Sequence, residues 1–181
     1  GLSLQRSGDP AALIGGLSGG HHFILTYLTE EVLRRQPPEV QDFLLQTSIL
    51  DRLCGSLCDA VCERDDSAAV LAHLYAANAF VVPLDDEHIW FRYHPLFREL
   101  LHSQLQRTRP DLLPVLHRRA AGWFEAQAQP SEIVAAEAID HTLAAGDHAH
   151  AVALLEQHAR PLVLRGYAET VAGWLRRLPP E

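Results

Sequence analysis

The chain has 181 residues, of which 48% are hydrophobic, 7% aromatic and 21% charged, a composition suited to one or two soluble domains. A chain of this size hides roughly 70% of its unfolded surface without metal or disulfide staples, and it contains neither an uncharged run of about 18 apolar residues nor a basic, then apolar, leader. All fifteen cations are arginine and the formal net charge is −8, which argues against a general nucleic-acid binder and, with only Cys54, Cys58 and Cys62 as thiols, fits a cytoplasmic protein without a membrane partner.

Residues 1–20 are rich in Gly, Ser and Pro and read as a loop. From Phe23 a 3.6-residue period through Tyr27, Leu28 and Leu33 predicts a helix that Pro37-Pro38 stops. Val40, Phe43, Leu44 and, past Ser48, Ile49 and Leu50 predict a second helix, and a short third one covers about Ser56 to Glu63. Asp65, Asp66 and Ser67 supply N-cap chemistry for a helix through Val70, Leu71, Leu74 and Tyr75, running to about Ala79.

A β-hairpin follows, with Phe80 to Leu84 and Ile89 to Tyr93 joined by Asp85-Asp86-Glu87-His88; Pro83 restricts the first strand to a sheet edge. His94-Pro95 then opens a helix through Phe97, Leu101 and Leu105. Three short helices, a hairpin and a further helix are the element order of a winged helix. Beyond it the pattern is entirely helical, at about 112–128, 131–145, 148–159 and 167–177, with Pro161 and Gly166 as punctuation. Paired as hairpins, these helices repeat every 36 residues (112 to 148, 131 to 167), the spacing of TPR-like repeats, with a plain four-helix packing as the alternative. The fold class expected is therefore mainly α: a winged helix with a short hairpin, followed by α-helical hairpins. The absence of methionine suggests a piece of a longer protein.

Several residue groups invite chemistry. Cys54, Cys58 and Cys62 would line one helix face, but structural zinc takes Cys-x2-Cys pairs from turns, so small core residues are the better reading, with Cys62 the most exposed. Among the eleven histidines, His141, His148 and His150 form the nearest thing to a cluster, without a His-Glu-x-x-His pattern, and no metal site is expected. His21, His22, His73, His88, His102, His117 and His158 read as surface or capping residues, and Ser18 and Ser48 lack a nucleophile elbow, so no intrinsic catalysis is expected.

His94 stands apart. It ends a strand and begins a helix, where free backbone donors and the positive end of the helix dipole favour an anion. Its imidazole can add a donor to a phosphate oxygen, with Arg98 one turn later adding charge; the alternative is a ring that caps the helix or donates to a nearby carbonyl. The helix over Ser67 to Ala79 has no arginine and the wing turn is Asp85-Asp86-Glu87, so this winged helix reads as an internal regulatory module rather than a DNA reader.

Several stretches, in order and at family-like spacing over 18–180, carry a resemblance. They are Tyr27-Leu28-Thr29-Glu30-Glu31-Val32-Leu33, Asp42-Phe43-Leu44-Leu45-Gln46-Thr47-Ser48-Ile49-Leu50, Leu57-Cys58-Asp59-Ala60-Val61, Phe80-Val81-Val82-Pro83-Leu84-Asp85, Phe91-Arg92-Tyr93-His94-Pro95-Leu96-Phe97, Leu116-His117-Arg118-Arg119-Ala120-Ala121 and Ala144-Ala145-Gly146-Asp147. Together the chain resembles the middle of the MalT-type, LuxR-family ATP-dependent transcriptional regulators, within the signal-transduction ATPases with numerous domains. The resemblance implies an upstream P-loop ATPase, a winged helix, an inducer-sensing array of helical repeats and a C-terminal helix-turn-helix that alone binds DNA. On that reading, residues 1–36 end the ATPase helical lid, 37–109 are the winged helix and 110–181 begin the repeats.

The resemblance further implies that a winged-helix histidine, here His94 with Arg98 nearby, contacts an ADP phosphate and holds the closed state. An inducer, either a small molecule or a protein, together with ATP then frees the molecule to self-associate. The chain has no G-x-x-x-x-G-K-[ST], so ATP and ADP belong to the full-length protein, a slow ATPase switch, and are not expected to bind this segment tightly. His22 and Thr26 depart from the family, where arginine and aspartate are usual. A helical-repeat scaffold that binds a protein partner without a nucleotide switch is the competing reading, although it leaves the hairpin and the His94-Pro95 helix start without a purpose.

Overall fold

Pro37 and Pro38 set the frame for α1 (Pro38–Thr47), since proline at the first helical positions costs no needed donor. The computed structural model describes residues 33–127 and 131–179; the loop at 1–20, most of the helix expected from Phe23, and His21, His22 and Thr26 lie outside them. α1 stops at Thr47 rather than continuing to Leu50. The Thr47 hydroxyl donates to the Phe43 carbonyl at 2.7 Å and Ser48 Oγ to the Leu45 carbonyl at 2.6 Å. Both hydroxyls take carbonyls of the last turn. Ile49 and Leu50 leave the helix but remain in the core.

Next come α2 (Gly55–Cys62) and α3 (Ser67–Ala76). The expected N-cap side chain is replaced by a more distant one: Asp66 makes no cap bond, and Asp59 on α2 accepts the Ser67 N–H at 3.0 Å. Asp66 pairs instead with Arg64 at 2.5 Å. α3 ends before Ala79, because Asn78 and Phe80 both take left-handed backbone conformations, with φ of 50° and 58°.

The wing is β1 (Val81–Pro83) against β2 (Phe91–Tyr93), antiparallel in the register Val81↔Tyr93, Val82↔Arg92 and Pro83↔Phe91. On the other side of β2, Leu53 exchanges two backbone bonds with Phe91, at 2.7 and 2.8 Å. β2 is therefore central and β1 is the edge, where Pro83 lacks only a donor that no neighbour requires. His94 then precedes α4 (Pro95–Thr108), whose Phe97, Leu101 and Leu105 recur every four residues and are fully buried. Each such side chain contributes about 1.5–3 kcal/mol by leaving water. Tyr93 points into the same core, its hydroxyl 2.7 Å from Thr47 Oγ1.

A 3-10 turn at Pro110–Leu112 leads into α5 (Leu113–Glu125), α6 (Glu132–Ala144), α7 (His148–Leu164) and α8 (Ala168–Arg177). Ser131 caps α6 and Asp147 caps α7 through backbone donors at Val134 and His150. Gly146 and Gly166, at φ of 76° and 95°, close α6 and α7 in the left-handed region. The hairpin partners start 35 and 36 residues apart (113 to 148, 132 to 168). α7 runs through Pro161 to Leu164 instead of stopping near residue 159. The ring at 161 faces solvent, while Leu162 beside it is buried and anchors the last turn.

α5 packs on α6, α6 on α7 and α7 on α8, and α2 of the winged helix packs on α5. One continuous apolar core thus runs from Leu33 to Trp174. Among the described residues no helix is long and apolar enough to cross a membrane. Among the described glycines the tightest approach is at Gly55, where an added Cβ would lie 2.9 Å from the Ala68 Cβ. Replacing Gly55 with Val should overpack the α2–α3 contact and lower unfolding free energy by about 1–3 kcal/mol in urea titrations. A loss below about 0.5 kcal/mol would show that α3 can move away freely.

Candidate functional site

His94 lies where the strand-to-helix junction brings β2 and α4 together. Its backbone N–H donates to the Phe80 carbonyl at 2.8 Å and its own carbonyl accepts from Arg98 N at 3.0 Å. The side chain makes no helix-capping bond. The half-buried ring stands edge-on to Phe80, centroids 6.4 Å apart, and its Nδ1 is buried without a hydrogen-bond partner among the described residues. Leaving such an atom unsatisfied costs about 1–3 kcal/mol, so the ring has a hydrogen bond to offer. The nitrogen can take a partner only when the side chains that cover it move.

Arg98 is placed differently. Its Nε donates to the Ser48 carbonyl at 3.2 Å and its guanidinium pairs with Asp51. The backbone keeps His94 and Arg98 one turn apart, but the arginine turns toward the end of α1 while the histidine turns toward Phe80. Arg98, Arg92, His102, Asp51 and Glu99 line a cleft of about 360 Å³ beside the α4 start. An anion there would have to draw Arg98 from Asp51. Arg98 and burial together hold the His102 pKa below its ordinary value, burial contributing most.

A second feature was not visible in the sequence. His117 on α5 and His141 on α6 meet with their Nδ1 atoms 2.8 Å apart, and His141 stacks on Phe124 at 5.7 Å. They line a cleft of about 440 Å³ with Ile49 and Asp51 of the winged helix and with Glu137, Asp140, Tyr167 and Arg177. Burial and the neighbouring His141 push His117 down to about 3, and burial and Arg98 push His141 down to about 4. Both rings are therefore neutral at pH 7, one donating and one accepting. Glu137, 3.9 Å from His141 Nε2, is pushed up by burial and then by Asp51. His117 is thus a half-buried partner of His141 rather than a surface residue. The grouping of His141 with His148 and His150 does not form through contacts: His150 pairs with Glu125 at 3.0 Å. Helical periodicity could have suggested that α5 and α6 face each other, but not which histidines would meet.

Cys54 and Cys58 are buried in the core and Cys62 is half-buried. Burial raises Cys58 well above the ordinary thiol range and lifts Cys62 to about 12, so both remain thiols rather than thiolate ligands at neutral pH. At the wing tip the Asp85 carboxylate is spent within the turn, accepting from Ile89 N at 2.8 Å and Trp90 N at 3.0 Å. α3 carries no arginine, and Arg92 is the exposed cation of the hairpin strands.

These features define a winged helix packed on helical hairpins. The sequence pattern of the MalT winged helix domain matches residues 29–113, so this part of the chain is a winged helix similar to that of MalT. The similarity extends further than the domain. The serine/threonine-protein kinase PknK of Mycobacterium tuberculosis is 36% identical over 178 residues, covering 98% of this chain and 16% of the kinase. The HTH-type transcriptional regulator MalT of Vibrio cholerae is 32% identical over 184 residues (99% and 20%), and that of Klebsiella pneumoniae strain 342 is 34% identical over 149 residues (82% and 16%). The chain therefore spans 16–20% of the length of these curated relatives.

The histidine pair gives this region a pH signature. Because both folded-state values lie below the ordinary value of 6.5, the unfolded chain binds protons between about pH 4 and 6.5 that the folded chain does not. Stability should fall as pH drops through that window. His141→Gln should flatten the slope between pH 6.5 and 5 in thermal melts; an unchanged slope would contradict the pairing.

Proposed function

We propose that this chain is the regulatory middle segment of a longer ATP-dependent activator, coupling the nucleotide state of an upstream ATPase domain to an inducer-sensing array of TPR-like repeats that begins with α5–α8. The observation that carries this reading is the shared core. Arg119 on α5 donates to the Val61 carbonyl at 2.9 Å and pairs with Glu63 at 2.5 Å, and Trp90 of the wing stands edge-on to Trp123 of α5 at 6.3 Å. On this reading a change imposed on the hairpins by an inducer passes through these contacts to the wing and on to His94.

On this reading His94 donates to a phosphate oxygen of a nucleoside diphosphate held by the upstream domain, its unpartnered Nδ1 becoming available once that contact uncovers it. The nucleotide supplies anionic oxygens whose number and charge change on hydrolysis. Arg98 serves the same region only if Asp51 releases it. Coupling requires that each ligand bind the closed and open states with different free energies. The open molecules self-associate, and contact with DNA falls to a separate C-terminal domain. The relatives' names attach this segment both to a transcriptional regulator and to a protein kinase, which supports placing the sensing and coupling here and the output elsewhere in the whole protein. This segment itself catalyses nothing.

Two experiments on the full-length protein test the reading. His94→Ala should weaken ADP retention and raise inducer-independent activity; unchanged ADP affinity would remove His94 from the switch. Arg119→Ala combined with Trp123→Ala should leave inducer binding intact while ADP release no longer responds to inducer. Retained coupling in that variant would place the communication elsewhere.

A further inference from the structure

Phe80 sits at φ 58°, in the left-handed region that favours glycine and that a bulky aromatic enters under strain. The strain coincides with three contacts. The Phe80 carbonyl accepts the His94 N–H at 2.8 Å, one bond beyond the Val81↔Tyr93 pair that opens the hairpin. Its ring stands edge-on to the His94 imidazole at 6.4 Å and 75°. The same ring packs on Phe97 at 5.4 Å, and Phe97 is fully buried on α4. A glycine would take this backbone without strain but would leave one side of the imidazole open.

We propose that Phe80 is the positioning residue for His94. Its carbonyl fixes the backbone at the start of α4. Its ring, braced from behind by Phe97, stands against one side of the imidazole and limits its rotation, so that the ring nitrogens are held in one place for a phosphate oxygen. The inference rests on the assignment of His94 as the phosphate contact, and it adds that the histidine works only while Phe80 holds it. Phe80 itself touches no ligand. The acidic hairpin tip leaves this role untouched, since Asp85 is engaged by Ile89 and Trp90 at the far end of the wing.

The test compares full-length wild type, Phe80→Ala, Phe80→Tyr, His94→Ala and the Phe80→Ala/His94→Ala double variant. Release of a fluorescent ADP analogue is followed by stopped flow, alongside the melting temperature of the nucleotide-free protein. Loss of one aromatic wall corresponds to about two- to tenfold faster release in Phe80→Ala. Phe80→Tyr should restore the wild-type rate, and the double variant should release no faster than His94→Ala, because the two residues act as one unit. If Phe80→Ala unfolds the protein, Phe80→Leu replaces it under the same criteria.

Two results would overturn the proposal while leaving His94 in place: release unchanged in Phe80→Ala when His94→Ala is fast, or independent, multiplying effects in the double variant. Unchanged release in His94→Ala would instead remove the premise and the proposal together. A fall in melting temperature with additive release rates would mark Phe80 as a packing residue only.

Discussion

The packing of α2 against α5 is the contact on which the rest of the molecule depends. It joins the winged helix to the helical hairpins through apolar surface, with Leu57 and Val61 on one side and Leu116, Ala120 and Phe124 on the other belonging to one buried cluster. The ion pair at its edge is secondary, because the Glu63 side chain is 70% exposed and exposed pairs contribute at most about 1 kcal/mol. The more specific role of Arg119 is its bond to the Val61 carbonyl, one of the last-turn acceptors of α2 that the helix itself leaves unpaired. Removing that arginine thus exposes a partly buried acceptor as well as a charge.

From this joint the two faces of the molecule acquire their character. On the wing side, β2 lies between Leu53 and β1, which fixes the direction in which the chain enters α4 and so the place of His94. On the hairpin side, His117 and His141 close a polar contact within an otherwise apolar seam, next to Ile49 and Asp51 of the winged helix. Asp51 serves both sides: it pairs with Arg98 and its charge raises Glu137. The Arg98 side and the hairpin-facing side of the winged helix are thus linked through one carboxylate.

Much of this was legible in the sequence, and the reasons are local. Pro37-Pro38, Pro83 and His94-Pro95 each restrict the backbone so strongly that the start of α1, the edge position of β1 and the start of α4 follow from residue type alone. Period-four spacing of Phe97, Leu101 and Leu105 gave the buried face of α4. What could not be read were the effects of distant partners. α1 stops early because hydroxyls at Thr47 and Ser48 capture carbonyls, α3 is capped by Asp59 from another helix, and α7 passes Pro161 because Leu162 is held in the core. The candidate site shows the same division. His94 was marked by its position on the backbone, whereas the pairing of Arg98 with Asp51 and the meeting of His117 with His141 depend on how elements pack.

The central claim is that winged helix and first helical hairpin share one core and respond as one body. Native-state hydrogen exchange of the full-length protein tests it most directly, by comparing the slowest amides of α2 and α4 with those of α5. The account predicts that all three helices open with a common free energy, and that Arg119→Ala with Trp123→Ala splits them into two groups. Amides of α5 that already exchange independently of α2 and α4 in the wild type would contradict it.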